Sequence, residues 1–399
     1  MLVGSGKQRY REAELRSIAA RYEVVLLVSH RVTWEHAYIS RSHIVDFEDE
    51  QRFQSEGGEF AKETGATGLM TWSDRVGERC ARLAASLGMP FADPASIRAC
   101  KDKSIFRDAL HERPDWAVRS TLVQDLATAR QAADAIGYPV VMKPRALGGS
   151  IGVVRIDSER DLERGFTCAT AVSAGGLAPL YSGVVVEEYL EGKEYSVDCV
   201  SLMGETFPLV VAEKVLGVEP YFEEVGHIVP ALETPEVVAA LAMVCEAHRV
   251  LGVDDLATCA EFRLTASGPR LIEINARIGG DLMPVLGDLA LGIDLAVAAA
   301  DVAMGKRPRM GAEQRCVAAV RFFCPEFDIE LDHLELGGSG HAGLIAFEPL
   351  VGAGAQQRLA PRGFRSRLAY AIVSGDTRDE CMGRLDAVQS DLVVHGQAL

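Results

Sequence analysis

Glu261 and Glu273 lie in a segment, Cys259 to Arg277, whose apolar and polar residues alternate on either side of Ser267-Gly268-Pro269. That pattern reads as a β-hairpin. With the strands paired symmetrically about Ser267, Glu261 faces Glu273, and like charges opposite one another destabilise a ladder. Period two puts Asn275 and Arg277 on the face of Glu273, while Ile272 and Ile274 turn to the core. Two carboxylates and an amide oxygen call for a cation. Hard oxygen donors suit Mg²⁺, which keeps waters and substrate phosphates in its remaining positions. A solvated polar face is the alternative reading of the hairpin by itself.

A second segment runs from Tyr138 to Val154. Its apolar run ends in Lys143, and an ammonium at the end of a buried strand requires an anion or loses its proton. The following Gly148-Gly149-Ser150-Ile151-Gly152 offers backbone N–H groups able to wrap phosphate oxygens without side-chain obstruction; taken alone, the segment is also a common glycine-rich hairpin turn with Lys143 snorkelling from a strand end. The third segment, Val184 to Asp198, is a strand edge interrupted at Gly192. Free main-chain groups there can read an adenine edge, and an acid beyond the turn can bind ribose hydroxyls. Taken alone, it reads as an ordinary acidic hairpin turn.

These residues need elements to position them. Short apolar runs such as Val24 to Val28 alternate with amphipathic stretches such as Val76 to Leu87, stopped by Gly88 and Pro90, as in an open α/β layer. A charged helix is expected over Lys101 to Leu110, and another from Asp125 to Gly137. Strands are expected at Pro139 to Lys143, Val184 to Val186 and Tyr195 to Val200. Thr234-Pro235 starts a helix that runs to Gly252. An Ala-rich helix lies between Pro284 and Gly305. Strands Val317 to Phe323 and Ala369 to Val373 precede a helix announced by the capping pair Thr377 and Glu380. Gly4-Ser5-Gly6-Lys7 lacks the P-loop spacing and the hydroxyl residue after its lysine, and is expected to be a strand-to-helix turn.

The chain has 399 residues, with 41 Lys and Arg against 57 Asp and Glu, a formal charge of −16. Length and composition suit a globular α/β protein of two or three lobes. The acidic balance opposes a nucleic-acid or anionic-membrane surface, so an anionic substrate must meet local positive charge. Nine singly spaced cysteines give neither a disulfide framework nor a zinc motif, and no apolar run approaches the roughly 18 residues of a membrane helix. A cytoplasmic location and no membrane partner are expected.

Taken in order, these segments resemble the ATP-grasp superfamily of carboxylate ligases over about Lys101 to Gly280. Glu224, His227 and Pro230, with Asn275, Arg277, Gly279 and Gly280, are most similar to bacterial L-amino-acid ligases that make dipeptides. The resemblance implies an ATP-grasp fold: a Rossmann-like lobe at 1–98, an ATP-grasp region at 99–305 with a lid subdomain at about 115–185, and a substrate-side α+β lobe at 306–399. It also implies site roles. Lys103 and Lys143 would contact the nucleotide and its phosphates, and Gly148, Gly149, Ser150 and Gly152 would close over them. Glu187, Glu188, Tyr189 and Leu190 would form the adenine hinge, with Glu194 on the ribose. Glu261, Glu273 and Asn275 would hold two Mg²⁺ ions, or Mn²⁺. Arg277, Lys214 and His227 would be catalytic, and Glu224 and His227, with Arg277, would meet the substrates.

The activity so implied is ATP-dependent activation of a carboxylate as an acyl phosphate, followed by displacement by an amine. The substrates would be small molecules, and a homodimer is in keeping with the family. Three alternatives stay open: a carrier-protein thiol as acceptor, bicarbonate as the activated acid, and a non-catalytic nucleotide-binding subunit.

Overall fold

The computed structural model describes residues 1–113, 115–173, 181–217, 219–309, 311, 313–338 and 340–399. The N-terminal segment holds β1 (Leu2–Val3), α1 (Gln8–Ala19), β2 (Val25–Val28), β3 (Arg41–Ile44), α2 (Glu50–Thr64), β4 (Met70–Thr71) and α3 (Gly77–Leu87). Its strands form a parallel sheet in the order β3-β2-β1-β4. All four residues of β2 are buried, which is why that run is apolar throughout rather than alternating. Gly88 ends α3 in the left-handed conformation, φ +66°.

Where one charged helix was expected, two occur: α4 (Pro94–Lys101) and α5 (Lys103–Ala109). Asp102 divides them. It leaves helical geometry, and its carboxylate accepts the Ser104 and Ile105 N–H groups, so it closes one helix and caps the next. That break aims Lys103 into the site.

A four-stranded antiparallel sheet follows, built from β5 (Ser120–Val123), β6 (Val140–Pro144), β7 (Val154–Ile156) and β8 (Val184–Glu188) in the order β5-β8-β6-β7. Helices α6 (Leu126–Ile136) and α7 (Glu159–Ser173) pack on it, burying Ala129, Ala133 and Leu162 against Met142, Val154 and Val186. Asp125 and Thr128 form a reciprocal capping box at the start of α6.

The remaining chain contributes β9 (Lys193–Leu202), β10 (Glu205–Leu216), β11 (Glu224–Val229), α8 (Pro235–Leu251), β12 (Leu256–Thr265), β13 (Gly268–Asn275), α9 (Met283–Leu291), α10 (Leu295–Ala303) and β14 (Val317–Phe323). It closes with β15 (Ile329–Leu336), β16 (Leu344–Pro349), β17 (Gln356–Gln357), β18 (Ala369–Gly375), α11 (Arg378–Asp391) and β19 (Leu392–Ala398). An eight-stranded sheet, β13-β12-β9-β10-β11-β14-β18-β16, takes strands from both sides of residue 305, while β15, β17 and β19 form a separate small sheet. Helix α8 covers one face, packing Met243 and Val244 near Phe262 and Ile274. The other face carries α9 and α10, which bury Leu286 and Ala296 near Val200 and Val229.

The Ala-rich stretch expected as one helix is broken at Gly292, φ +65°, and restarted by Asp294, whose side chain accepts the Val297 N–H. At α11, Thr377 caps as expected, but the Glu380 carboxylate accepts the N–H of Asp376 rather than that of Thr377. Among the described residues, no helix is long and apolar enough to cross a membrane.

Candidate active site

The site is a row of side chains on one face of the large sheet. Strand pairing sets Glu261 opposite Glu273, Ser196 opposite Glu261, Glu194 opposite Arg263, and His227 opposite Lys214. The hairpin turn is tighter than symmetry about Ser267 implies, because Thr265 pairs with Gly268 and Phe262 with Leu271. A bulge between Glu261 and Phe262 restores the pairing, so the two carboxylates face each other after all. Arg107 occupies the bulge, donating to the Leu271 and Ile272 carbonyls at 2.8 Å each.

Opposed carboxylates at the edge of the core must be neutralised. Lys214, on β10, places Nζ 2.6 Å from Glu194, 2.8 Å from Glu261 and 3.2 Å from Glu224. Lys103 lies 3.2 Å from Glu273, and Asn275 donates to the other Glu273 oxygen at 3.0 Å. Burial would push both carboxyls up. Lys103 and Lys143 overcome it at Glu273, whose pKa is held down at about 2. At Glu261, burial prevails over Lys214 and, with the Glu273 charge, raises the carboxyl to about 8. One member of the pair is thus short of positive charge.

Next to the pair, Lys143 bonds Glu187 at 2.6 Å, and Arg107 binds the same carboxylate at 2.8 and 3.0 Å. Burial lowers Lys143 to about 8. The Glu187 side chain is fully engaged. Glu188 binds Arg119, and the Leu190 carbonyl accepts from Arg263 at 2.6 Å. Arg263 also binds Glu194 at 2.8 Å. Glu187, Glu188, Tyr189, Leu190, Glu194 and Ser150 line one side of a recess of about 80 Å³ that Lys103, Gly148 and Gly149 share with a second of about 280 Å³. Gly152 lines neither, but its φ of +74° and a Cβ position 2.3 Å from Val172 make glycine necessary in that turn.

The larger recess contains Glu261, Glu273, Asn275, Lys214, Glu224, His227 and Arg277. Arg277 Nε donates to Asp74 at 2.7 Å, and its Nη1 to the Ile278 carbonyl at 2.9 Å. His227 is buried, with Nε2 3.4 Å from Glu224 and 3.9 Å from Asp281. Burial opposes its charge, but these carboxylates raise its pKa above the ordinary histidine value. Asp281 in turn takes two 2.7 Å bonds from Arg367. All the residues expected from the sequence except Gly152 therefore line the two adjoining recesses.

Sequence reasoning missed Arg107, Arg263, Asp74, Asp281 and Arg367. Two had a local signal: Arg107 is one helical turn after Lys103, and Arg263 is two strand positions after Glu261. The other three had none, since Arg277 and Asp74 lie far apart in the chain, as do Asp281 and Arg367.

Comparison with known proteins places this geometry. Residues 136–285 match the ATP-grasp domain. Human carnosine synthase 1 is 31% identical over 252 residues, 59% of this chain and 30% of that protein. The alanine–anticapsin ligase of Bacillus subtilis (strain 168) is 26% identical over 257 residues, 60% of this chain and 54% of that protein. The chain thus spans about a third to a half of the length of these relatives. The crystal structure of an L-amino acid ligase from Bacillus licheniformis superposes with a TM-score of 0.85 at 19% identity, covering 99% of this chain and 98% of that one. The chain carries an ATP-grasp domain at residues 136–285 and is built on the ATP-grasp fold.

Proposed function

We propose that the chain is an ATP-dependent carboxylate–amine ligase. It activates a small carboxylic acid, an amino acid or close analogue, as an acyl phosphate, and an amine displaces the phosphate to form an amide. ADP and phosphate leave. The observation that carries this reading is the opposed pair Glu261 and Glu273, with Asn275, ringed by Lys103, Lys143, Lys214 and Arg277 where two recesses meet. Similarity to a synthase and two ligases whose names denote the joining of small molecules supports it.

The donor set suits a divalent cation: two carboxylates and an amide oxygen, one carboxyl raised by burial and by the neighbouring Glu273 charge despite Lys214. Glu261, Glu273 and Asn275 would hold two Mg²⁺ ions, with Mn²⁺ a chemically similar occupant, and bound ions would neutralise phosphate charge. The chain's own residues do the rest. Lys103 and Lys143 receive the phosphates, and the Gly148 to Gly152 loop covers them and excludes water that would hydrolyse an acyl phosphate. The Glu187–Leu190 backbone meets the base, and Glu194 the ribose. Arg277, aimed by Asp74, offsets charge on the transferring phosphoryl. Lys214 fixes Glu194, Glu224 and Glu261 relative to one another. Glu224 and His227 face the substrates. Every one of these residues comes from one chain, and a homodimer is in keeping with this reading.

The test is hydroxylamine trapping. Purified protein with Mg·ATP, hydroxylamine and a panel of amino acids and other acids should form a hydroxamate with one class of acid, and Glu273→Ala should not. ATP binding without hydroxamate from any acid, bicarbonate controls included, would overturn the ligase reading.

A further inference from the structure

The exposed face of the small sheet β17-β15-β19 carries a second group of ligating side chains, apart from the two recesses. His333 and Glu335 stand on β15, and His395 on the neighbouring edge strand β19. One ligating atom from each lies within 4.8 Å of the others.

Strand register assembles the group. Leu331 pairs with Gly396 and His333 with His395, so Asp332 is an extra residue and β15 bulges there. Without the bulge, Asp332 would face His395, and His333 would follow Leu331 to the inner face. The change of phase shows in the burial. Leu331 is buried before the bulge, Leu334 and Leu336 turn inward after it to meet the core under α11, and His333 and Glu335 share the outer face. Gly396 lets the strands close at this point, since a Cβ there would lie 2.4 Å from the Glu330 carbonyl oxygen.

The group calls for a cation. The two imidazole rings are stacked, with centroids 4.2 Å apart and planes within 8° of parallel. His395 Nε2 is shielded from solvent without a hydrogen bond, and the Glu335 carboxylate, 3.7 Å away, is too far for one. Among the described residues, no lysine or arginine pairs with Glu335. The comparable group Glu224, His227 and Asp281 is different, because Lys214 and Arg367 already balance it. Two imidazoles and a carboxylate suit Zn²⁺, Ni²⁺ or Cu²⁺, whereas Mg²⁺ takes oxygen ligands. Around tetrahedral zinc, bonds of about 2.0–2.2 Å set ligand atoms about 3.3–3.6 Å apart. The His395–Glu335 separation is close to that already, and His333 and Glu335, both exposed, close the remainder by side-chain rotation.

We propose that His333, Glu335 and His395 bind a divalent transition-type cation, Zn²⁺ foremost, which clips β19 to β15. The site is separate from the Glu261–Glu273 pair in place and in chemistry: nitrogen donors on a sheet surface, against oxygen donors in a recess. The clip steadies an edge strand. Through β15 it also steadies β17, from which the chain runs on to Arg365 and Arg367 at Asp281.

The test is Zn²⁺ titration of the untagged, chelator-stripped full chain in excess Mg²⁺, read by calorimetry and by the histidine ring resonances. Those of His333 and His395 are assigned by their loss in His333→Gln and His395→Gln. One Zn²⁺ should bind and shift both sets of resonances. Losing even a partner that only supports a ligand costs metal sites about 10–100-fold, so each histidine substitution should weaken binding by at least about tenfold. Glu335→Gln, which keeps both imidazoles, should weaken it less. Zn²⁺ should raise the melting temperature of the unaltered chain and leave that of the double variant unchanged. Both proteins should melt alike in chelator, which separates loss of metal from loss of fold. Zn²⁺ binding that survives the double substitution, or that is lost in His227→Gln instead, would place the ion elsewhere and overturn the proposal. So would the absence of binding, or affinity for Zn²⁺ no greater than for Mg²⁺.

Discussion

Binding of Mg²⁺ with nucleotide should expel a proton from Glu261. In the free protein, burial and the neighbouring Glu273 charge raise this carboxyl to about 8 despite Lys214 at 2.8 Å. A metal ion requires the carboxylate. With its pKa raised in this way, the group carries a proton at neutral pH that the metal must displace, and that displacement opposes binding. Apparent Mg²⁺ affinity should therefore rise with pH across the neutral range and level off once the carboxyl is ionised. Lys143, also near 8, is already about nine-tenths charged at pH 7, so its proton uptake on meeting phosphate offsets only about 0.1 of the release. Calorimetry of Mg²⁺ binding to the ADP complex, in two pH 7 buffers of different ionisation enthalpy, should show release of close to one proton per site. Glu261→Gln should bind more weakly and release none. A pH-independent affinity between 6 and 8, with no buffer-dependent heat, would refute the argument that this carboxyl is a metal ligand held protonated by its surroundings.

Glu273→Ala should abolish ATP turnover while leaving the thermal transition close to that of the unaltered chain, because the change removes one of two mutually repelling carboxylates; turnover near normal would remove Glu273 from the site. Arg107→Met strands the buried Glu187 carboxylate and the Leu271 and Ile272 carbonyls, and should cost about 3–5 kcal/mol in urea unfolding. His248 donates to Val244 and accepts from Thr258, and burial lowers its pKa to about 4, against 6.5 unfolded. The unfolded chain then binds the extra proton between those values, so stability falls as pH drops, by about 2 kcal/mol from pH 7 to 5. His248→Gln should flatten that part of the pH profile. Gly192→Ala would set a Cβ 2.0 Å from the Leu264 carbonyl at a φ of +147°, and should lower the melting temperature and separate the Glu187–Leu190 backbone from Arg263.

The legible parts of the chain were those whose cause is local. Thr234-Pro235 and Gly252 bounded α8 because a cap, a first-turn proline and a left-handed glycine act within one helical turn. Alternation in Cys259–Arg277 put Glu261, Glu273 and Asn275 on one face because strand period two is a backbone property. The single helices expected at Lys101 to Leu110 and Pro284 to Gly305 failed for an equally local reason, since Asp102 and the Gly292–Asp294 pair carry stop and restart signals.

By itself, then, the sequence determined which residue types lie on which face of their own element, and hence that two carboxylates oppose each other across the hairpin. Only the tertiary structure decided the partners. A hairpin centred off Ser267 keeps its carboxylates opposed because a bulge is held by Arg107 from another helix. Lys214 meets three acids and Arg277 is aimed by Asp74 through strand order and sheet stacking. Charges in low dielectric act over ångströms of space rather than positions in the chain, so no local pattern encodes them.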